Sequence, residues 1–478
     1  MITDEAVAPS TILAATDFHR LPSTSAGDAS RGSAVRLAAE IVVRLSSIVA
    51  TLWLTRTLGV AAFGQFVVAL SIGLMIAELC DLGLNAIVVP LVVRSPRNLG
   101  TIFRMKAAMS GFTLLMSLIL IPLSARVSGV APLLLGLCTI HFLGASWIEV
   151  TGTALRAVGR RVDEALLLFT FRFTLVGLVV AAPFGLTVLG ASIGYALAIG
   201  PAVLLGGWLL HARVISEGPP GAAVRAILRQ AAPMGANGYL SILSTRVEVL
   251  LIQLTQGEHA VGLFGGALRI VESLLTLPSA IAAGALPAVA RDVVRGSRGA
   301  AQRTFGLVVW MGVPSAVGLA LCAPAVLGVL GPGFVDGATV LRMLSLALFL
   351  CFANAAVFHI LIAAGDTAII PRLTGVRVGV ACVLGSLVIP WVGLIGAAFS
   401  FTTAELCLFV MLVRRARSHA ELQVFRPVGW AVVACLPMAL ILSIWSFSLP
   451  VAILTGALLF VLVAGVILQR GTEASGLA

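Results

Sequence analysis

From residue 34 to residue 469 the chain is one apolar run after another, divided only by short breaks. The runs fall near 34–58, 64–93, 105–125, 129–153, 164–186, 188–211, 231–256, 260–290, 303–330, 337–364, 371–390, 392–414, 427–447 and 450–469. Each is long enough to cross a hydrocarbon layer of roughly 30 Å as a helix. Backbone groups inside hydrocarbon must be satisfied within their own segment, which makes helix the form such runs take. The expectation is an all-α polytopic membrane protein with about fourteen transmembrane helices. Composition agrees: 59% of residues are hydrophobic and 11% charged, against roughly 45–50% and 25% in soluble domains.

The basic residues sit in alternate loops. One set carries Arg94, Arg97, Arg104 and Lys106; Arg156, Arg160 and Arg161; Arg213, Arg225 and Arg229; Arg291, Arg295, Arg298 and Arg303; Arg372 and Arg377; Arg414, Arg415, Arg417 and Arg426. The intervening loops have only Arg56, Arg126 and Arg342 at their edges. Cytoplasmic loops carry the basic excess, so both termini are expected in the cytoplasm of a multi-pass protein of the cell (inner, cytoplasmic) membrane. The same bias explains the net charge of +11 without a nucleic-acid partner. Residues 1–33 are polar and read as a disordered cytoplasmic tail.

The longest internal connection, about 212–230, contains Gly218-Pro219-Pro220-Gly221 and reads as a linker between an N-terminal lobe (34–211) and a C-terminal lobe (231–417). Its VRAILRQ end has the pattern of a short amphipathic helix on the membrane surface. Residues 427–469 add two helices beyond the lobes. Gly59, Gly64 and Phe66 recur as Gly257, Gly262 and Phe264 at one offset of 198, and LRAVG (155–159) and Gly190-Ala191 recur as LIAAG (361–365) and Gly396-Ala397 at 206. About six helices separate the equivalents, so the lobes should be pseudo-symmetric about an axis along the membrane normal. The working site is then expected between them.

All seven cysteines lie in apolar runs with no CxxC, and read as packing residues. No metal, nucleotide or flavin motif is present, so no cofactor is expected.

The informative residues are charges inside the apolar runs. A charge at such depth costs about 2.5–3.5 kcal/mol on insertion scales, so it normally faces protein or water rather than lipid. Arg246 and Arg269 lie well inside the two apolar helices of 246–292, which the turn Gly257-Glu258-His259-Ala260 joins. Arg44 and Arg172 lie inside the first and fifth runs. Glu40 can pair with Arg44, and Arg269 with Glu272, at helical spacing. Arg246 and Glu248 are two apart and point in different directions. His141 and His359 read as satisfied packing residues, and Glu405 as half of an internal salt bridge. An aqueous cavity lined by Arg44, Arg172, Arg246 and Arg269 suits a phosphate or diphosphate, because the guanidinium fork stays charged and donates two parallel hydrogen bonds. Glu78 and Asp81, three apart near mid-depth, are candidates for coupling to H+ or Na+, since adjacent carboxylates favour proton uptake by one of them.

Several of these residues fall in motifs. Arg56-Thr57-Leu58-Gly59 through Phe63-Gly64-Gln65-Phe66, then Asp81-Leu82-Gly83-Leu84, Arg246-Val247-Glu248, Gly262-Leu263-Phe264, Ala267-Leu268-Arg269-Ile270, Leu286-Pro287, AAGD (363–366) and GLIGAAFS (393–400) follow in order. The series, over about residues 31–417, resembles the polysaccharide flippases of the multidrug/oligosaccharidyl-lipid/polysaccharide exporter superfamily. That resemblance implies translocation of a polyprenyl-diphosphate-linked oligosaccharide between membrane leaflets by alternating access, for cell-surface polysaccharide synthesis. It also implies glycosyltransferases and a polysaccharide polymerase as partners. Many members have twelve helices; fourteen is the number in the related lipid II flippases, which keeps that substrate open. A drug/cation antiporter of the same superfamily would prefer an acidic cavity. A membrane glycosyltransferase or polymerase needs catalytic carboxylates or a sizeable outer loop, and the short loops argue against an enzyme.

Overall fold

The structure is a computed structural model, which describes residues 26–94, 98–181, 183, 185–213, 224–295, 299–419, 422–444 and 448–474, with side chains from Ser46 onward over most of that range. Every regular element among these residues is helical. In the N lobe are α1 (Ala26–Glu78), α2 (Leu84–Arg94), α3 (Asn98–Ser128), α4 (Pro132–Ala157), α5 (Arg161–Ala181), α6 (Val188–Leu197) and α7 (Ile199–Arg213). In the C lobe are α8 (Val224–Leu274), α9 (Thr276–Arg295), α10 (Gly299–Leu321), α11 (Ala323–Leu330), a 3-10 turn (Pro332–Gly337), α12 (Ala338–Ala363), α13 (Ile370–Val392) and α14 (Leu394–Ala416). The last two are α15 (Phe425–Ile444) and α16 (Leu449–Ala474).

The first helix of each lobe is too long for one crossing. Helices α1 and α8 hold 53 and 51 residues, and at 1.5 Å per residue either would run about 80 Å if straight. Each is broken by a glycine in the left-handed region, Gly59 (φ 75°) and Gly257 (φ 81°), where a side chain would be strained. Eleven helical segments are long and apolar enough to cross a membrane. Two of them, Ser46–Glu78 and Ile227–Ala282, contain these glycines and answer to two apolar runs each, and the shorter Leu449–Val463 answers to the last run.

Several expected boundaries move. The run 64–93 is not one helix. It breaks between Glu78 and Leu84, where Leu82 (φ 41°) and Gly83 (φ 81°) turn the chain. Runs 188–211, 260–290 and 303–330 are each divided as well, near Ala198, Leu275 and Cys322. VRAILRQ is not a separate surface helix; its residues open α8 and continue into the membrane helix. Helix α1 begins at Ala26, eight residues earlier than the first apolar run. The rest of the expected tail, and the Gly218-Pro219-Pro220-Gly221 linker, lie outside the described residues.

In the N lobe α1, α4 and α5 pack on one another; in the C lobe α12 packs on α10 and α14, and α13 on α8 and α14. Helix α15 lies against α10, and α16 against α15. The lobes meet chiefly along α1 and α8. There the repeat is visible as geometry. A Cβ on Gly64 would lie 1.9 Å from the Glu258 carbonyl oxygen, and one on Gly262 would lie 2.0 Å from that of Val60. The two contacts exchange under the same 198-residue offset seen in the sequence. The equivalent Phe66 and Phe264 are both buried in the core beside them.

Candidate functional site

Two backbone approaches close the space between the lobes. At the end carrying Gly59 and Gly257, the Gly64 and Gly262 contacts are joined by an amide hydrogen bond from Gln65 Nε2 to Glu258 Oε1 (3.2 Å) and by Phe63 packed edge-on against Phe334 (centroids 5.7 Å apart). Arg56 Nε donates to the Val329 carbonyl at 2.9 Å on the same side. Further along the bundle, the break after Glu78 meets the first half of α8. A Cβ on Gly83 would lie 2.3 Å from the Ala231 oxygen, and one on Gly235 would lie 2.3 Å from the Leu82 carbonyl carbon. Only glycine allows backbones this near.

Beside the second approach lies a cavity of about 450 Å³, lined by Glu78, Asp81, Glu149, Glu164 and Arg156 of the N lobe and closed by Gly238 of α8. It lies where the chain leaves α1 at Glu78 and turns, with Glu78 Oε1 against Gly238 of α8 and Asp81 against Lys106 of α3. Asp81 Oδ1 accepts from Lys106 Nζ at 2.9 Å, and the same ammonium donates to Ser146 Oγ at 2.5 Å. Lys106 is fully buried. Glu164 is held by Arg156, whose Nε donates to Oε1 at 2.8 Å. Among the described residues, Glu78 and Glu149 have no ion-pair partner.

Arg172, Arg246 and Arg269 lie elsewhere. Arg246 Nη2 and Arg269 Nη1 bracket one carboxylate, Glu272, at 3.3 and 3.4 Å. The expected Arg269–Glu272 pair is present, and Arg246 joins it. Arg172, on α5 of the opposite lobe, has no ion-pair partner among the described residues. Its Cζ lies 5.2 Å from the centre of the Phe171 ring. None of the three lines the acidic cavity. The side chains of Arg44 and Glu40 lie outside the described residues. A His141 ring nitrogen meets the Tyr195 carbonyl at 2.8 Å, and His359 meets Ala355 at 2.8 Å, as packing histidines do.

Two cations read as loop charges are membrane-helix residues. Lys106 lies within α3, and Arg377 lies in α13 with its side chain 3% exposed, paired to Glu405 at 2.5 Å. Asp81 therefore answers to the chain's lysine, not to one of the interior arginines. The signal was available for Arg377, which lies inside the apolar run 371–390. For Lys106, at the edge of its run, no sequence signal separates a loop residue from a buried one.

No family model matches the chain, and no curated protein matches it in sequence. Solved structures do match its fold. A lipid II flippase MurJ in an inward closed conformation superposes with a TM-score of 0.73 at 13% identity, over 91% of this chain and 99% of that one. An inward-facing multidrug resistance MATE family transporter of the MOP superfamily gives 0.58 at 18% identity, over 80% and 98%. A MOP superfamily transporter from Pyrococcus furiosus, described as having a binding pocket of reversed polarity, gives 0.53 at 16% identity, over 82% and 95%. The polypeptide thus has the fold shared by MurJ and the MATE transporters, two lobes of membrane helices around a central interface.

Proposed function

We propose that this protein is a flippase that carries a polyprenyl-diphosphate-linked oligosaccharide across the cytoplasmic membrane by alternating access, for cell-surface polysaccharide synthesis, with both termini in the cytoplasm. The observation that carries the reading is the charge between the lobes. Arg246 and Arg269 share the single carboxylate of Glu272, and Arg172, in the other lobe, has no ion-pair partner among the described residues. Two guanidinium groups against one carboxylate leave positive charge over, and the unpaired Arg172 adds to it. A diphosphate answers that excess with two acidic groups that accept paired N–H donors. Arg44 belongs to the same set on sequence grounds. The sugar head needs a polar route, while the polyprenyl tail stays in membrane lipid.

Glu78 and Asp81 are the proposed coupling carboxylates, exchanging H+ or Na+ with the water of the acidic cavity. The glycine contacts at the two levels are the proposed gates. Opening one while the other stays shut exposes the cargo site to one side at a time.

The cavity's carboxylates favour a second reading, a multidrug/cation antiporter, because Glu78 and Glu149 could receive a cationic solute. A lipid II flippase shares the diphosphate chemistry and differs in the sugar-peptide head. The test replaces Arg44, Arg172, Arg246 and Arg269 singly by Ala and assays export of the lipid-linked glycan. Loss of export in the Arg246 and Arg269 variants is expected. Full export in all four removes the diphosphate site. Rescue of lipid II flipping, or efflux of a cationic dye that depends on Glu78, would move the assignment to one of the other two substrates.

A further inference from the structure

The C lobe holds a group of ionisable side chains that neither the arginines around Glu272 nor the acidic cavity uses. Arg377 Nη2 pairs with Glu405 Oε1 at 2.5 Å, and its Nη1 donates to the Ser244 carbonyl at 2.7 Å. The other carboxylate oxygen of Glu405 accepts from Asn354 Nδ2 at 2.7 Å. Both oxygens of Glu405 are thus engaged, and Arg377 already answers its charge.

Glu248 is one helical turn beyond Ser244 on α8 and is 0% exposed. Neither of its carboxylate oxygens accepts a hydrogen bond from the protein. Its charged and titratable neighbours are Arg377 and Cys382 of α13 and Glu405 of α14, with Cys351 of α12 beyond Glu405. Val247, Ala381 and Ala404 make an apolar cluster alongside. The region therefore contains two carboxylates and one guanidinium. An unpaired ionised carboxylate in apolar surroundings is so costly that such a group takes up a proton instead.

We propose that Glu248 is a proton-binding site inside the C lobe, occupied in this conformation and separate from the carboxylates of the N-lobe cavity. Arg377 makes the site selective, since its fixed positive charge repels a metal cation but leaves a neutral carboxylic acid undisturbed. Release of the proton puts two carboxylates against one guanidinium. The Nε of Arg377, which has no acceptor here, is the donor that can turn to the ionised form. Proton release is then tied to a movement of α13 against α8, and a ligand bound to one arrangement shifts the population of the other. The Glu248 site involves no contact with the cargo, so it stands or falls independently of the flippase assignment.

The experiment is infrared spectroscopy of the full-length protein in lipid at neutral pH, comparing wild type with Glu248→Gln and Glu405→Gln. The expected result is a carbonyl stretch of a protonated carboxylic acid that disappears in Glu248→Gln, a loss of one group per chain, and persists in Glu405→Gln. Glu248→Asp, which keeps an acid at the site, should shift the band without abolishing it. Equal spectra for wild type and Glu248→Gln would overturn the proposal, as would loss of the wild-type band on adding sodium at constant pH.

Discussion

Lys106 in the N lobe and Arg377 in the C lobe are both almost fully buried, and both are paired to a carboxylate, at 2.9 and 2.5 Å. Their surroundings differ. Asp81 borders a cavity of about 450 Å³ together with the unpaired Glu78 and Glu149. Glu405 is buried, held by Arg377 and Asn354, and does not line that cavity. Two halves built on one repeat have thus placed one ion pair at the edge of a space and sealed the other in protein. Water can reach and rearrange the first. The second can change only if helices move.

This contrast is open to direct attack. Removing one partner of a sealed pair leaves a buried charge uncompensated, at a cost of about 3–5 kcal/mol. Arg377→Ala should therefore be the most damaging single change, seen as loss of folded protein after detergent extraction or a large fall in melting temperature. Lys106→Ala should cost less, about 1–3 kcal/mol, because Asp81 borders the cavity and can be hydrated from it. Equal losses in the two variants would erase the distinction between the lobes.

The glycine contacts sharpen the comparison at the interface. Gly262→Ala must push away the Val60 carbonyl, a backbone atom with no rotamer to change, and overpacking of this kind costs about 1–3 kcal/mol. The strain falls between lobes rather than within one. Labelling of a cysteine placed at Gln65 should rise in Gly262→Ala, while the stability of each lobe stays near wild type. Unchanged labelling would show that the lobes do not separate at this level.

The smallest effect is expected at Asp366, in the connection between α12 and α13 outside the membrane crossings. The hydrogen bond from Arg415 Nε (2.5 Å), and secondarily that of His419 (3.0 Å), hold its carboxyl below the usual carboxylate range. A carboxylate with a lowered folded-state value stabilises above its unfolded value, near about 4, and loses that contribution as pH falls through the lowered one. Asp366→Asn should remove a slight acid-side decline in melting temperature and leave the neutral value almost unchanged. A large neutral-pH loss would give this surface pair a role it lacks on geometric grounds.

Legibility divided along the same physical line. Hydropathy disclosed the crossings because the bilayer imposes length and apolarity on each segment separately. The repeat was legible in Gly59 and Gly257, since a left-handed turn favours glycine. Arg269 and Glu272 could be paired by helical spacing. Arg246 could not be joined to Glu272, because they lie on opposite sides of the Gly257 kink. Arg377 and Lys106 read as loop charges because the basic-loop rule weighs position along the chain, whereas burial depends on which helices surround a residue.

By itself the sequence determined the all-helical, many-spanning class, the duplication and the presence of interior charge. These follow from local constraints, the energy of a segment in hydrocarbon and the conformational range of glycine. The tertiary structure alone decided which charge answers which, that the acidic cavity is lined by Glu78 and Asp81 and not by Arg172, Arg246 or Arg269, and that neither carboxylate oxygen of Glu248 accepts a hydrogen bond. Those outcomes depend on where separate helices come to lie, and no residue carries that information in its own neighbourhood of the chain.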